Sequence, residues 1–175
     1  AVPTAITGFD VQSVNILENS TRVPIKYTTP PGVIREQLVN NNTIINQNEQ
    51  SLSLRINQDG LEPGDSRAVF KNVSVDMRQF NTLKMFLHAE SLTDDLDVMR
   101  LQDNEMGAFI RFGNDFTQNF YQVERPLKVT LWGDSSTPEK VWPSENDMDI
   151  TMSLLTKIKI IASQNPALLD ADGML

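Results

Sequence analysis

The stretch DMRQFNTLKMFLHAE, Asp76 to Glu90, decides the fold, because within it turn chemistry gives way to strict alternation. Leu83, Met85, Leu87 and Ala89 fall on one side, and Lys84, Phe86, His88 and Glu90 on the other. A repeat of two is the signature of a strand, whose successive side chains point to opposite faces. The same repeat aligns Leu52, Leu54 and Ile56 in SLSLRI, and Val69, Val73 and Val75 in AVFKNVSV, with Phe70 opposite. It returns in Ala108, Ile110 and Phe112, in Tyr121 and Val123, and in Leu127, Val129 and Leu131 after a break at Pro126. Asp59-Gly60 and Glu62-Pro63-Gly64-Asp65 mark turns between them. Strands with one mostly apolar face, joined by turns, predict a mainly β fold. The expectation is an antiparallel two-layer β-sandwich of jelly-roll, galactose-binding-like type.

Outside residues 51–143, the expected sandwich core, the pattern changes. Residues 1–50 read as an irregular N-terminal segment with one or two strands, FDVQSVNI being one of them. Pro24, Pro30 and Pro31 keep the following stretch extended up to a turn at Gly32, and NNNTIINQNEQ reads as a surface linker. At the other end Met148, Met152, Leu155, Ile158 and Ala162 fall at helical spacing. Ser144 and Asp147 match a capping box, so a helix is expected over 144–163, covering an open side of the sandwich, with 164–175 a tail.

Composition bounds the function. Of 175 residues 39% are hydrophobic and 22% charged, the balance of a folded domain. The net charge of -8, with scattered Lys and Arg, excludes a nucleic-acid surface and disfavours an anionic membrane. Cysteine is absent, which excludes disulfides, thiol chemistry and Cys-based zinc sites. No stretch approaches 18 apolar residues, so no helical membrane span is expected. The opening AVPTAITGFD, without an initiator Met or an apolar leader, reads as the start of an excised or processed piece.

Candidate chemistry is sparse. His88 is the single histidine, and Glu90 lies on the same strand face. The pair has the makings of an acid–base unit, but no nucleophile or triad spacing accompanies it, and scaffold is the preferred reading. Asp94, Asp95 and Asp97, with Asp103, Asn104 and Glu105 nearby, offer oxygens for calcium but lack the glycine and terminal glutamate of an EF-hand loop. No other cofactor is indicated. Trp132 and Trp142, with Tyr121, Phe109 and Phe116, are the aromatics available for stacking on a sugar, which makes a carbohydrate-binding module the alternative function. Arg67, Arg78, Arg111 and Arg125 interrupt apolar strands or their ends, with Glu90 and Glu124 as expected partners in strand-fixing pairs.

Several blocks, in order, carry a resemblance: RVPIKYTTPPGVIREQ, NEQSLSLRI, LEPGDSRAVFKN, DMRQFNTLKMFLHAE, GAFIRFGNDFTQNFYQVERPL and VWPSENDMDI. Together, from about Arg22 to Lys159, they resemble the SprA (Sov) family of Bacteroidetes gliding-motility proteins, the outer-membrane translocons of the type IX secretion system. The resemblance implies a non-enzymatic structural or interaction module of a protein-export channel, with no catalytic residue to carry over. It implies a soluble portion of that channel, on the periplasmic or the extracellular side of the outer membrane. The implied partners are other regions of the same long chain, accessory secretion subunits and exported cargo. RVPIKYTTPPG departs from the family pattern, in which an aromatic residue tends to follow the proline.

Overall fold

A computed structural model describes residues 7–40, 43–94, 100–134 and 136–168. The chain is mainly β with a C-terminal helix, and its strands pair in twos. β1 (Thr7–Asn15) runs antiparallel to β4 (Gln50–Gln58), and β2 (Gln37–Asn40) to β3 (Thr43–Asn46). β5 (Thr82–Met85) pairs with β8 (Met148–Thr151), and β6 (Gly107–Gly113) with β7 (Phe120–Pro126). Helix α1 (Ile16–Asn19) is one turn, α2 (Pro138–Val141) another, and α3 (Met152–Gln164) is the long one.

The jelly-roll sandwich is therefore corrected. Among the described residues there are four two-stranded ribbons and no pair of broad facing sheets. Alternation specifies which residues share a face, but not how many neighbours a strand acquires. On the β1–β4 ribbon, Val11 lies opposite Leu54 and Phe9 opposite Ile56. That face is open: Leu52 is 58% and Leu54 48% exposed. The AVFKNVSV segment makes no strand. It runs extended without a ladder partner, with Val73 65% and Phe70 73% exposed. LKVTLW is not a strand either: Thr130 forms a single β-bridge to Glu90, and the Leu127 backbone bonds to Met106 and Asn104; Leu127 and Val129 are buried as expected and Leu131 is not. The linker expected at 40–50 instead contains β3 and the first residue of β4.

The C-terminal helix begins later than its sequence pattern predicts. Ser144–Asn146 is a single 3-10 turn, and β8 follows with Met148 and Ile150 buried and Asp149 and Thr151 exposed. MDIT carries a repeat of two that pairs with TLKM of β5, and this ladder captures residues assigned by spacing to the helix. Thr151 then caps α3 without a side-chain hydrogen bond, while the Met152 N–H donates to the Asn81 carbonyl at 2.9 Å. The stripe Met152, Leu155, Ile158 and Ala162 does form the less exposed side of α3, with Leu155 buried.

The core lies where the loops meet, away from the ribbon faces. Ile25, Tyr27, Val141 and Trp142 form one buried cluster, with Val14, Ile16, Phe86 and Trp132 packed around it. Tyr27 meets Trp142 edge-on at 6.0 Å between ring centres, a geometry that adds about 0.5–1.5 kcal/mol beyond area burial.

Candidate functional site

His88 and Glu90 sit beside this core, just beyond β5. Both are largely covered, with side chains 18% and 14% exposed. The Glu90 carboxylate receives a two-pronged bond from Arg22: Nη1 donates to Oε2 at 2.9 Å and Nη2 donates to Oε1. Arg22 Nη1 also donates to the Ile25 carbonyl at 3.1 Å. This arginine comes from the turn after α1, 68 residues away in sequence. Burial pushes the Glu90 carboxyl up, but the bonds from His88 and Arg22 and the Arg22 charge outweigh it and hold the group down at about 2.

The His88 ring is committed on both sides. Nδ1 lies 2.7 Å from the Val141 carbonyl, which can only accept, so Nδ1 carries the proton and donates. Nε2 faces Glu90 Oε2 at 3.2 Å. The ring stands edge-on to Trp142 at 5.9 Å. Thr130, the nearest hydroxyl at 3.4 Å from Nδ1, donates to the Lys140 carbonyl at 2.9 Å. Each polar atom of the pair is thus engaged in joining the segments around Arg22, His88, Thr130 and Val141. Such a unit fixes geometry; it has no poised nucleophile.

The tryptophans are tied in the same way. Trp142 is buried, and its Nε1 donates to the Thr28 carbonyl at 2.7 Å; half-buried Trp132 donates to the Ser91 carbonyl at 3.0 Å. Trp142 belongs to the buried cluster and Trp132 packs against it, so both rings serve the core. Tyr121 packs on Phe112 within the β6–β7 ribbon, and Phe116 on Phe70.

Three of the four arginines expected to pair with Glu90 and Glu124 find other partners. Arg67 reaches Asp65 at 3.9 Å, and Arg78 grips Asp76 through Nε at 2.8 Å and Nη2 at 2.9 Å. Arg111 stacks on Phe120 with 4.0 Å to the ring centre, while its Nε donates to Gln122 at 2.7 Å. Glu124 accepts from the Gln122 amide. The Arg78 bonds hold the Asp76 carboxyl down at about 2. Of the acids proposed for calcium, Asp94 accepts from Arg100 at 3.0 Å, whereas Asp95 and Asp97 lie outside the described residues. Asp103 caps the Val129 N–H at 2.8 Å, and Glu105 the Gln102 N–H at 2.7 Å. Among the described residues no group of three acidic or imidazole side chains gathers in a way that would hold a metal.

Two contributors escape sequence reasoning. Arg22 has no local pattern linking it to Glu90. Asn146, fully buried at 0% exposure, falls within the stretch that spacing predicts as helix; its Oδ1 accepts from the Lys128 N–H at 2.7 Å and its Nδ2 donates to the Lys128 carbonyl at 2.9 Å. A primary amide thereby imitates one residue of strand pairing.

A family model described as SprA_N, motility related/secretion protein, matches residues 2–171. No curated protein matches the chain. Among the described residues no helix is long and apolar enough to cross a membrane.

Proposed function

The chain belongs to the SprA_N family of motility-related secretion proteins, and from that premise we propose that it is a rigid, non-enzymatic joint within the type IX outer-membrane translocon. The observation that carries this reading is the family match over nearly all of the chain. The character of the covered polar site supports it. Arg22, Glu90, His88 and Asn146 spend their hydrogen-bonding capacity on joining distant segments, while the ribbons they anchor leave apolar faces open. A protein whose ordered centre is internal bracing and whose periphery is open β surface is suited to holding neighbours in position.

Its contacts in this reading are with other regions of the translocon polypeptide, with accessory secretion subunits, and with cargo in transit. It acts beside the outer membrane, at the periplasmic or the extracellular face. The 51–143 unit and its flanking segments work as one piece, because Arg22 and Asn146 from the flanks close the site around His88.

The test is chromosomal deletion of residues 7–168 in a gliding bacterium, with the translocon verified in the outer membrane. Loss of secreted cargo and of surface adhesin is expected. Secretion and gliding at wild-type levels would overturn the proposal.

A further inference from the structure

Residues 66–75, SRAVFKNVSV, form a strap that little holds in place. Among the described residues, none of its backbone groups takes part in a backbone–backbone hydrogen bond. Its root is the turn from Glu62 to Asp65, closed by the Asp65 N–H donating to the Glu62 carbonyl at 2.9 Å. Gly64 stands in that turn at φ +90°, with nothing within 4 Å of the place a Cβ would take, so rotation there meets no neighbour. Asp65 and Ser66 line a cleft of about 420 Å³ together with Phe109, Arg111, Gln122 and Glu124 of the β6–β7 ribbon. The ladder places Phe109 opposite Glu124 and Arg111 opposite Gln122, so these four share one face of the ribbon. From this root the strap reaches the ribbon tip, where Phe70 meets Phe116 with ring centres 5.2 Å apart.

The two halves of this ring contact differ in firmness. Phe116 sits on a loop fixed by Asp115, whose Oδ1 accepts from the N–H groups of Thr117 at 2.9 Å, Gln118 at 2.6 Å and Asn119 at 3.0 Å. Arg111 Nη1 ties the same loop down by donating to the Phe116 carbonyl at 2.6 Å. Phe70, by contrast, is largely exposed on a segment without a ladder partner. Segments with few buried contacts open at low cost while the core stays folded. We propose that residues 66–75 are a hinged strap, swinging about Gly64 and latched by Phe70 on Phe116, whose release opens the β6–β7 face that carries Arg111. That face is arranged before the strap moves: the Arg111 guanidinium lies 4.0 Å from the Phe120 ring centre, and its Nε donates to Gln122. The inference goes beyond the reading of the chain as a joint. It adds one moving part to a braced centre, and its test makes no use of secretion.

The experiment measures the distance from strap to loop. The chain has no cysteine, so Asn72→Cys and Gln118→Cys on the 175-residue chain take two nitroxide labels and no others. Pulsed electron paramagnetic resonance should give one short, narrow distance when the latch is intact. Phe70→Ala removes the ring pair and should lower the ratio of closed to open strap by about 2- to 12-fold, seen as a longer and broader distribution. Phe70→Tyr keeps a ring and should restore the short distance. The urea midpoint should be the same in all three chains, because the strap opens without the core. Equal distance distributions for the parent and Phe70→Ala would overturn the inference, as would a Phe70→Tyr chain as open as the alanine one. A urea midpoint that falls with Phe70→Ala would also overturn it, by making the strap part of the cooperative core.

Discussion

Replacing Asn146 with alanine tests whether one buried amide joins the 3-10 turn before β8 to the backbone at Lys128. The change deletes the 2.7 Å bond from the Lys128 N–H, the 2.9 Å bond to its carbonyl, and a longer contact with the Leu87 carbonyl at 3.4 Å. Two well-made bonds contribute about 1 kcal/mol each, and the groups left without partners add about 1–2 kcal/mol in total because the site excludes water. The expected loss is about 3 kcal/mol. At about 2–4 °C per kcal/mol for a chain of this size, the melting midpoint should fall by about 6–12 °C. Urea titration followed by tryptophan fluorescence reads this directly, since Trp142 is buried in the folded state; the midpoint should move without a change of slope. Asn146→Asp separates bonding from shape. The carboxylate still accepts from the Lys128 N–H but sets a negative oxygen against two carbonyls, so folding raises its pKa. The resulting penalty is largest at neutral pH and disappears below the carboxyl's unfolded pKa of about 3.9. A loss below about 1 kcal/mol for the alanine variant, or an aspartate variant as stable as the parent at pH 7, would refute the reasoning.

Other outcomes follow from the same structure. Because the Glu90 carboxyl sits at about 2 in the folded chain against an ordinary 4.5, its contribution is complete above pH 4.5 and is lost as the pH falls toward 2. Urea midpoints measured at several pH values should drop through that window, less steeply in Glu90→Gln. Gly113→Ala would put a Cβ 2.1 Å from the Asn119 carbonyl oxygen and 2.5 Å from the Phe120 Cα. Backbone must then move, and a loss of about 2 kcal/mol or more is expected by denaturation. Limited trypsin digestion of the folded chain should cut first after Arg67 or Lys71, in the extended stretch that forms no ladder. Val73→Asp in that stretch should change stability by no more than about 0.5 kcal/mol.

These outcomes separate what local pattern encodes from what it does not. Alternation was legible in SLSLRI, TLKM and GAFIRF, and each became part of a strand, because the repeat of two depends only on neighbouring residues. AVFKNVSV carries the same repeat and stays unpaired. A strand exists only where a second backbone meets it, and that meeting is decided by chain path, not by alternation. MDIT shows the converse: four residues with both a helical and an alternating reading went to the strand because TLKM was there to receive them. The His88–Glu90 pair was legible as a same-face pair and as scaffold. Its closing partner was not, since an arginine 68 residues away leaves no trace in spacing. The two tryptophans were visible as aromatic candidates, yet their role turns on indole N–H groups reaching the Thr28 and Ser91 carbonyls, bonds to backbone that any residue type at 28 or 91 would provide. Polar bracing of this kind has no repeat, because each bond is specified by one contact in space. It follows that substitutions at Arg22, Glu90 and Asn146 should disturb this joint more than substitutions at the exposed, conspicuously alternating Leu52 and Leu54, whose apolar face gains its role when something packs upon it.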